Sequence, residues 1–494
     1  MGPKRVSRGR GRKQAEVRPP HPSARHRRKV AVFMGVVALC ALIVIIGIAV
    51  ALRPTRSPQP EQNGPAVRPS SGPSTTTPAE PPFPPASLDS SLTPEQQDRA
   101  LREEQLEAAR RLAAAFPGDS NASFLLGMAY LEQGDAVEAS TYLSKSLELQ
   151  PNRADAYDHL GQIATLKGEN ERAIDMFRKA LEMNPQMPAV HFRLAKALVF
   201  MGRLPEAIAE LQRDMEIPPQ NGESHALLGE VYAQLQDYAG AKASYEKAIQ
   251  IQPKLSKPYY GLSVACAKLG LQEESKQYQE KFKEIEAQDR QAGRHWRQVF
   301  DPLAVTRQSV SHTHTDIGRV YQSHGRVDVA EPLWQKAAIL DPNNVECRFH
   351  LAVLYEQTQR PLDALKLYEQ ITRAEAKNGA AYFLMGSLYL RLNRPDEAEK
   401  TFRKVVEVSP DRPEGYRALA QLYLQTNRNW AEAGKLAAQA VEVEPSAAHY
   451  FLLATACEKN KDRAGMLSAL KRAIELDPDN AEYRRTYEKL AGTR

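Results

Sequence analysis

Residues 379–412 read GAAYFLMGSLYLRLNRPDEAEKTFRKVVEVSPDR, and this 34-residue stretch decides the fold. Apolar residues recur three and four apart on either side of the turn Asn393-Arg394-Pro395-Asp396, the pattern of two amphipathic helices joined by a short turn. A helix pair this short cannot bury both of its apolar faces alone, so it must stack on copies of itself.

The copies are present at a fixed period. Equivalent positions recur every 34 residues at Ser123, Tyr157, His191, His225 and Tyr259, and again at His314, Arg348, Tyr382, Tyr416 and Tyr450. Two blocks of five units follow, and the 55 residues from Tyr259 to His314 are one period plus an insertion of 21. Four places after each position the residue is small: Gly127, Gly161, Ala195, Gly229, Ser263, Gly318, Ala352, Gly386, Ala420 and Ala454. Close approach of paired helices requires this, because a larger side chain would force them apart or store strain in dense packing. The second helix of the pair answers with Ala139, Ala173, Ala207, Ala241, Ala330, Ala364 and Ala398, then with a bulky residue such as Phe177, Tyr245, Trp334, Tyr368 or Phe402. Pro151, Pro185, Pro219, Pro253, Pro342, Pro410 and Pro478 end the second helices, since proline lacks a donor and its ring clashes with the preceding turn.

These residues resemble the tetratricopeptide repeat family over about residues 120–480. Three places depart from its pattern: Ala376 replaces a proline, Ala433 comes one place late, and residues 256–289 carry Ser275 and Gln279 where alanine and an aromatic are usual. The resemblance implies an all-α, right-handed α-solenoid of about ten helix-turn-helix units whose first helices line the concave side. The expected function is a protein–protein interaction scaffold.

Composition agrees with the all-α class, with 7% aromatic residues and no long strand-like alternation. Charge is unevenly spread. Residues 1–29 hold eleven Lys or Arg against the single acid Glu16, a charge of +10, so the rest of the chain carries −4 of the total of +6. An acidic folded part argues against nucleic acid as a partner, while the basic tail suits anionic lipid.

The chain divides as follows. Residues 1–29 form a basic disordered cytoplasmic tail, and residues 30–52, VAVFMGVVALCALIVIIGIAVAL, carry no charge and are long enough to cross a bilayer as a helix. Positive charge before the span places the N-terminus in the cytoplasm and the remainder outside it, the periplasm if the membrane is a bacterial inner membrane. A cleavable signal peptide ending at Ala49-Val50-Ala51 is the competing reading of the same stretch. Residues 53–93, rich in Pro, Ser and Thr, form a spacer, and 94–118 a lead-in helix begun by Thr93-Pro94-Glu95, with Leu101, Leu106, Ala109 and Leu112 covering the first repeat. The first block spans 119–289, the insertion 290–310, the second block 311–480, and 481–494 are a polar capping helix. The insertion reads as a loop over the fifth unit, or as a hinge or second contact site. A cytosol-facing receptor on an organelle membrane, resembling import receptors with an N-terminal anchor, is the alternative overall reading.

Helical spacing maps the concave lining onto named residues: Phe124, Met128, Asp158, Gln162, Phe192, Lys196, Glu230 and Tyr260 in the first block, and Thr315, Arg319, Phe349, Val353, Phe383, Ser387, Arg391, Arg417, Gln421 and Phe451 in the second. Phe349, Phe383 and Phe451 recur in register. They either face a peptide, with Arg319, Arg391 and Arg417 offered to its carboxylates, or pack on their neighbours. Phe124, Met128 and Asp158 do not match the Lys/Asn clamp by which some family members grip a C-terminal carboxylate.

No phosphate-cradling Gly loop, HExxH or GxSxG occurs, so no enzyme, cofactor or small-molecule substrate is expected. His312, His314 and His324 lack a completing Cys or carboxylate at ligand spacing, and no metal is expected there. Cys40, Cys266, Cys347 and Cys457 lie far apart and read as small apolar residues rather than disulfides or metal ligands.

Overall fold

A computed structural model describes residues 91–187, 189–218, 221–299 and 301–492, with the backbone alone for 293–299. The tail, the apolar span 30–52 and most of the spacer lie outside the described residues. So does Cys40. Among the described residues there are 22 helices and no strand, and no helix is long and apolar enough to cross a membrane.

Ten helix pairs account for most of the chain. Units 1 to 4 are Ser120–Glu132 with Ala136–Leu149, Ala154–Leu166 with Asn170–Met183, Val190–Phe200 with Leu204–Glu216, and Gly222–Gln234 with Tyr238–Ile251. Units 7 to 10 are Val345–Gln357 with Pro361–Ala374, Gly379–Arg391 with Pro395–Val408, Pro413–Gln425 with Trp430–Val443, and Ala447–Lys459 with Arg463–Leu476. Ala481–Gly492 caps the array, Tyr483 packing on Phe451.

The small positions are required by what faces them. A Cβ on Gly161 would lie 2.6 Å from the Phe177 ring, on Gly229 2.6 Å from Tyr245, on Gly318 2.4 Å from Trp334 Nε1 and on Gly386 2.6 Å from Phe402. In each case the partner is a large ring sixteen residues on, so the empty Gly face and the ring are complementary halves of one contact. In unit 5 Gln279 stands in the ring's place and Ser275 in the alanine's, where its Oγ donates to the Ser263 carbonyl at 2.8 Å.

Turns between paired helices each contain at least one residue with left-handed backbone, Gly134, Gly168, Gly202, Gly270 and Gly325 in five units and Gln236, Gln359, Asn393, Asn427 and Lys461 in the others. The late alanine of unit 9 has a local cause, since Asn429 adds a second left-handed residue to that turn and absorbs the extra position, a conformation asparagine tolerates. Between units, the side chain at the recurring first-helix position ties down a carbonyl of the preceding turn. His191 Nε2 lies 3.0 Å from the Pro185 oxygen, and Tyr259 and Tyr416 donate to those of Pro253 and Pro410, both at 3.2 Å. Arg348 donates to the carbonyls of Ala338, Asp341 and Asn344.

The junction between blocks differs from the loop or hinge that the sequence suggests. The second helix of unit 5 runs on as Gln272–Val299 and the first helix of unit 6 starts early, as Pro302–Ser323, paired with Val327–Leu340. Asp301 caps the new helix, its Oδ1 accepting from Leu303 N at 3.0 Å with Pro302 in the first turn. At 1.5 Å per residue the 28-residue helix is about 42 Å long, enough to carry the chain back from the end of the first block.

Its destination is the lead-in helix Pro94–Ala115. That helix packs on the first helices of both unit 1 and unit 6, so it covers two repeats rather than one. Leu101 clusters with Leu303, Val310 and Leu340, while Ala108, Ala109 and Leu112 share one core with Leu126, Ile317, Tyr321 and Trp334. Most polar groups buried here are paired, as desolvation demands, Arg307 Nε being an exception. Gln105 donates to Thr313 Oγ1 and Glu132 Oε2, both at 2.7 Å; Glu104 meets Lys336 and, at 3.3 Å, His314; His324 lies 2.8 Å from Asp119 and stacks on Phe116. The first block is therefore a circuit whose two ends meet, and the second block departs from the meeting point.

Candidate peptide-binding groove

First helices of successive units lie side by side, those of units 3 to 5, 6 and 7, and 9 and 10 making direct contact. Their register positions behave differently in the two blocks.

In the first block most are engaged by neighbours. Asp158 is 4% exposed and takes a bidentate pair from Arg193 of the next unit, at 3.0 and 2.7 Å, and a further bond from Gln162 at 3.1 Å. Phe124 is covered by the Arg153 guanidinium, 3.9 Å from the ring centroid, and touches His159. Burial holds the His159 imidazole below its ordinary pKa, so it is neutral at pH 7. Met128 packs against the core formed by Leu143 and Leu160. Lys196 lies over Phe192 at 5.8 Å, and Tyr260, 59% exposed, tilts against Phe282.

In the second block each phenylalanine leans on an aromatic of its own unit or the cap and remains half-buried. Phe349 meets Tyr368 edge-on at 6.3 Å, Phe383 meets Phe402 at 5.9 Å and Phe451 meets Tyr483 at 4.9 Å. Thr315 is withdrawn from the lining altogether: it is 1% exposed, donates to the Ser311 carbonyl and accepts from Asn344 Nδ2. Val353 and Gln421 are exposed, and Ser387 Oγ donates to the Phe383 carbonyl at 2.9 Å.

The three arginines separate by their partners. Arg319 pairs with Asp316 at 2.6 Å and with Glu346 at 3.6 Å, and Arg391 pairs with Glu356. Arg417 is half-buried and makes no hydrogen bond or ion pair with any described residue. Burial pulls its pKa down from the ordinary value, against the opposing fields of Glu414 and Glu444.

Beside Phe349 an open pocket of ≈ 420 Å³ is lined by His312, Asn343, Glu346, Phe349, His350 and Glu375. Sequence spacing marked Phe349 alone among these, because His312, Glu346 and His350 lie on the first helices of units 6 and 7 but off the register positions, and Asn343 and Glu375 stand at unit boundaries. The three candidate metal histidines are apart in role: His312 lines the pocket, His314 is buried between the Val310 carbonyl and Glu104, and His324 stacks on Phe116. Among the described residues no group of three or more His, Cys, Asp or Glu is placed to hold a metal ion.

Family models described as tetratricopeptide repeats match residues 119–186, 164–231, 222–255, 256–289, 315–381, 358–422 and 449–480, more than half of the chain. The chain belongs to the tetratricopeptide repeat family. Its repeat fold is that of a protein-interaction scaffold. Among curated proteins none matches the sequence. Solved structures similar to this tetratricopeptide protein include a crystal structure of MamA, 25% identical over 34% of this chain and 97% of its own, with a TM-score of 0.33. YrrB, described as a TPR protein with an unusual peptide-binding site, is 19% identical over 36% of this chain and 91% of its own, TM-score 0.32. Yeast Tom70 is 16% identical over 75% and 88%, TM-score 0.29. None of these likenesses bears on what this chain binds.

Proposed function

We propose that this protein is a membrane-anchored scaffold that holds an extended segment of a partner protein in the groove of its second block, outside the cytoplasm. The observation that carries the groove reading is Arg417. A guanidinium partly removed from water with no ion pair is costly, and the fields of Glu414 and Glu444 relieve it only in part. Phe383 and Phe451 lie 34 residues before and after it on the flanking first helices. A carboxylate on a bound segment completes the arrangement, with apolar side chains against the two rings. Anchoring rests on the uncharged run 30–52 and the eleven positive charges before it.

Photo-crosslinking from Gln421 in native membranes, followed by mass spectrometry, tests the groove. A discrete partner should be captured, and Arg417→Gln should reduce its yield about tenfold, the equivalent of one charge-assisted pair, with the fold intact by circular dichroism. Undiminished capture by that variant would sink the groove reading. Protease added outside sealed cells or spheroplasts should digest the array while sparing residues 1–29; protection of the array from outside would reverse the topology.

A further inference from the structure

The pocket beside Phe349 has a charge character opposite to that of Arg417. Two carboxylates, Glu346 and Glu375, stand on its rim, and both are exposed. Arg319 is drawn to Asp316 at 2.6 Å and reaches Glu346 only at 3.6 Å. Glu375 has no cationic partner among the described residues; its side chain accepts from the neutral amide of Asn378 at 2.7 Å. His350, stacked on the buried Trp334 at 4.9 Å, is pushed toward the neutral form by burial and contributes an apolar face. Phe349 supplies a second aromatic wall and Val345 an aliphatic one. An aromatic-walled pocket whose mouth carries one carboxylate without a cationic partner, Glu375, and a second, Glu346, held only loosely by Arg319 at 3.6 Å and His350 at 3.9 Å, is complementary to a long aliphatic stem ending in a cation.

We propose that this pocket takes the side chain of a lysine or arginine of the bound partner segment, its stem against Phe349 and Val345 and its head between Glu346 and Glu375. The proposal rests on the groove reading above and adds the chemistry and register of the ligand. Phe349 and Arg417 occupy the same position two units apart. The first helices of units 7 to 9 make few direct contacts with one another, so each step is at or a little beyond the usual 8–10 Å and the two subsites are roughly 20 Å apart or a little more, about six residues of extended chain at 3.3 Å each. The recognised segment therefore carries a basic residue about six positions from an acidic one.

Fluorescence polarisation with the full-length chain tests this. The probes are three labelled peptides on one Ala/Ser/Leu background, each carrying Glu and, about six positions away, Arg, norleucine or a second Glu, made in both orders. In one order the Arg peptide should bind about tenfold tighter than the norleucine peptide, as expected for one charge-assisted contact, and the second-Glu peptide should bind weakest. The double variant Glu346→Gln/Glu375→Gln should erase the Arg advantage and leave norleucine binding unchanged. Equal binding of Arg and norleucine peptides, an advantage that survives the double variant, or no binding by any of the three overturns the pocket. The groove reading falls with it only if the Arg417-dependent crosslink is also missing.

Discussion

The two blocks share one period and one helix pairing, yet the register positions of their first helices are used in different ways. In the first, Asp158 is consumed by Arg193 and Gln162, Phe124 is roofed by Arg153, and Lys196 lies over Phe192 at 5.8 Å. In the second, the aromatic register is half-buried but reachable, a pocket opens beside Phe349 and Arg417 is left without a partner. The difference shows that the 34-residue spacing settles where a groove residue stands and not whether it is free. Freedom depends on what neighbouring units offer: Arg193 takes up Asp158 and Glu356 takes up Arg391, while no described residue pairs with Arg417.

The comparison breaks most directly at the shared core. Trp334 is fully buried, and its Nε1 donates to the Thr315 carbonyl at 3.1 Å. Trp334→Ala should cost about 3–5 kcal/mol, measured by chemical denaturation, and hydrogen exchange should quicken in residues 94–115 as well as in units 6 and 7. If the lead-in helix kept its protection, the two blocks would not share one core.

A smaller effect is expected at Glu104, whose side chain is 11% exposed between Lys336 and His314. Burial opposes the charge on this carboxylate, but the His314 and Lys336 partners outweigh it and hold its pKa below the ordinary value. A depressed carboxylate contributes stability that is present above its unfolded pKa and lost as pH falls through the folded one. Acidification below about pH 4 should therefore loosen the lead-in helix before the outer units, and Glu104→Gln should remove that acid step and cost about 2–3 kcal/mol at neutral pH. An acid transition that stayed uniform along the chain would contradict this.

The smallest change sharpens the contrast between grooves. Asp158→Asn weakens the bridge to Arg193 and should lower stability by about 1–2 kcal/mol, read by thermal unfolding, while leaving crosslinked partner yield at Gln421 unaltered. A loss of partner capture would mean that the first block takes part in binding.

Much of this was legible in the sequence because it is local. Gly386 and Phe402, or Gly161 and Phe177, belong to one helix pair, so a fixed offset reports their contact directly. Asp301-Pro302 and the proline-free run 272–299 also signalled two long helices, and the count of 21 extra residues obscured them. The junction left no such trace. Nothing near Glu104 or Gln105 encodes His314 or Thr313, because pairing across the closed circuit follows from where five units bring the chain and not from any short pattern. Phe349 was readable as a groove position, whereas Glu375 and Asn343 enter the pocket from neighbouring helix ends, where helical periodicity is silent.

The circuit also sets a schedule for synthesis. Ordinary unit interfaces form between segments about one 34-residue period apart, but Arg102 and Thr306 are 204 residues apart, and closing that loop costs about 1–2 kcal/mol more than closing one period. At typical translation rates the lead-in helix leaves the ribosome roughly 10–40 s before its second partner is made. Through that interval Leu101 has none of Leu303, Val310 and Leu340 to bury it. The nascent array thus carries, just ahead of its first repeat, a helix with part of its apolar face uncovered, a place for a chaperone to act.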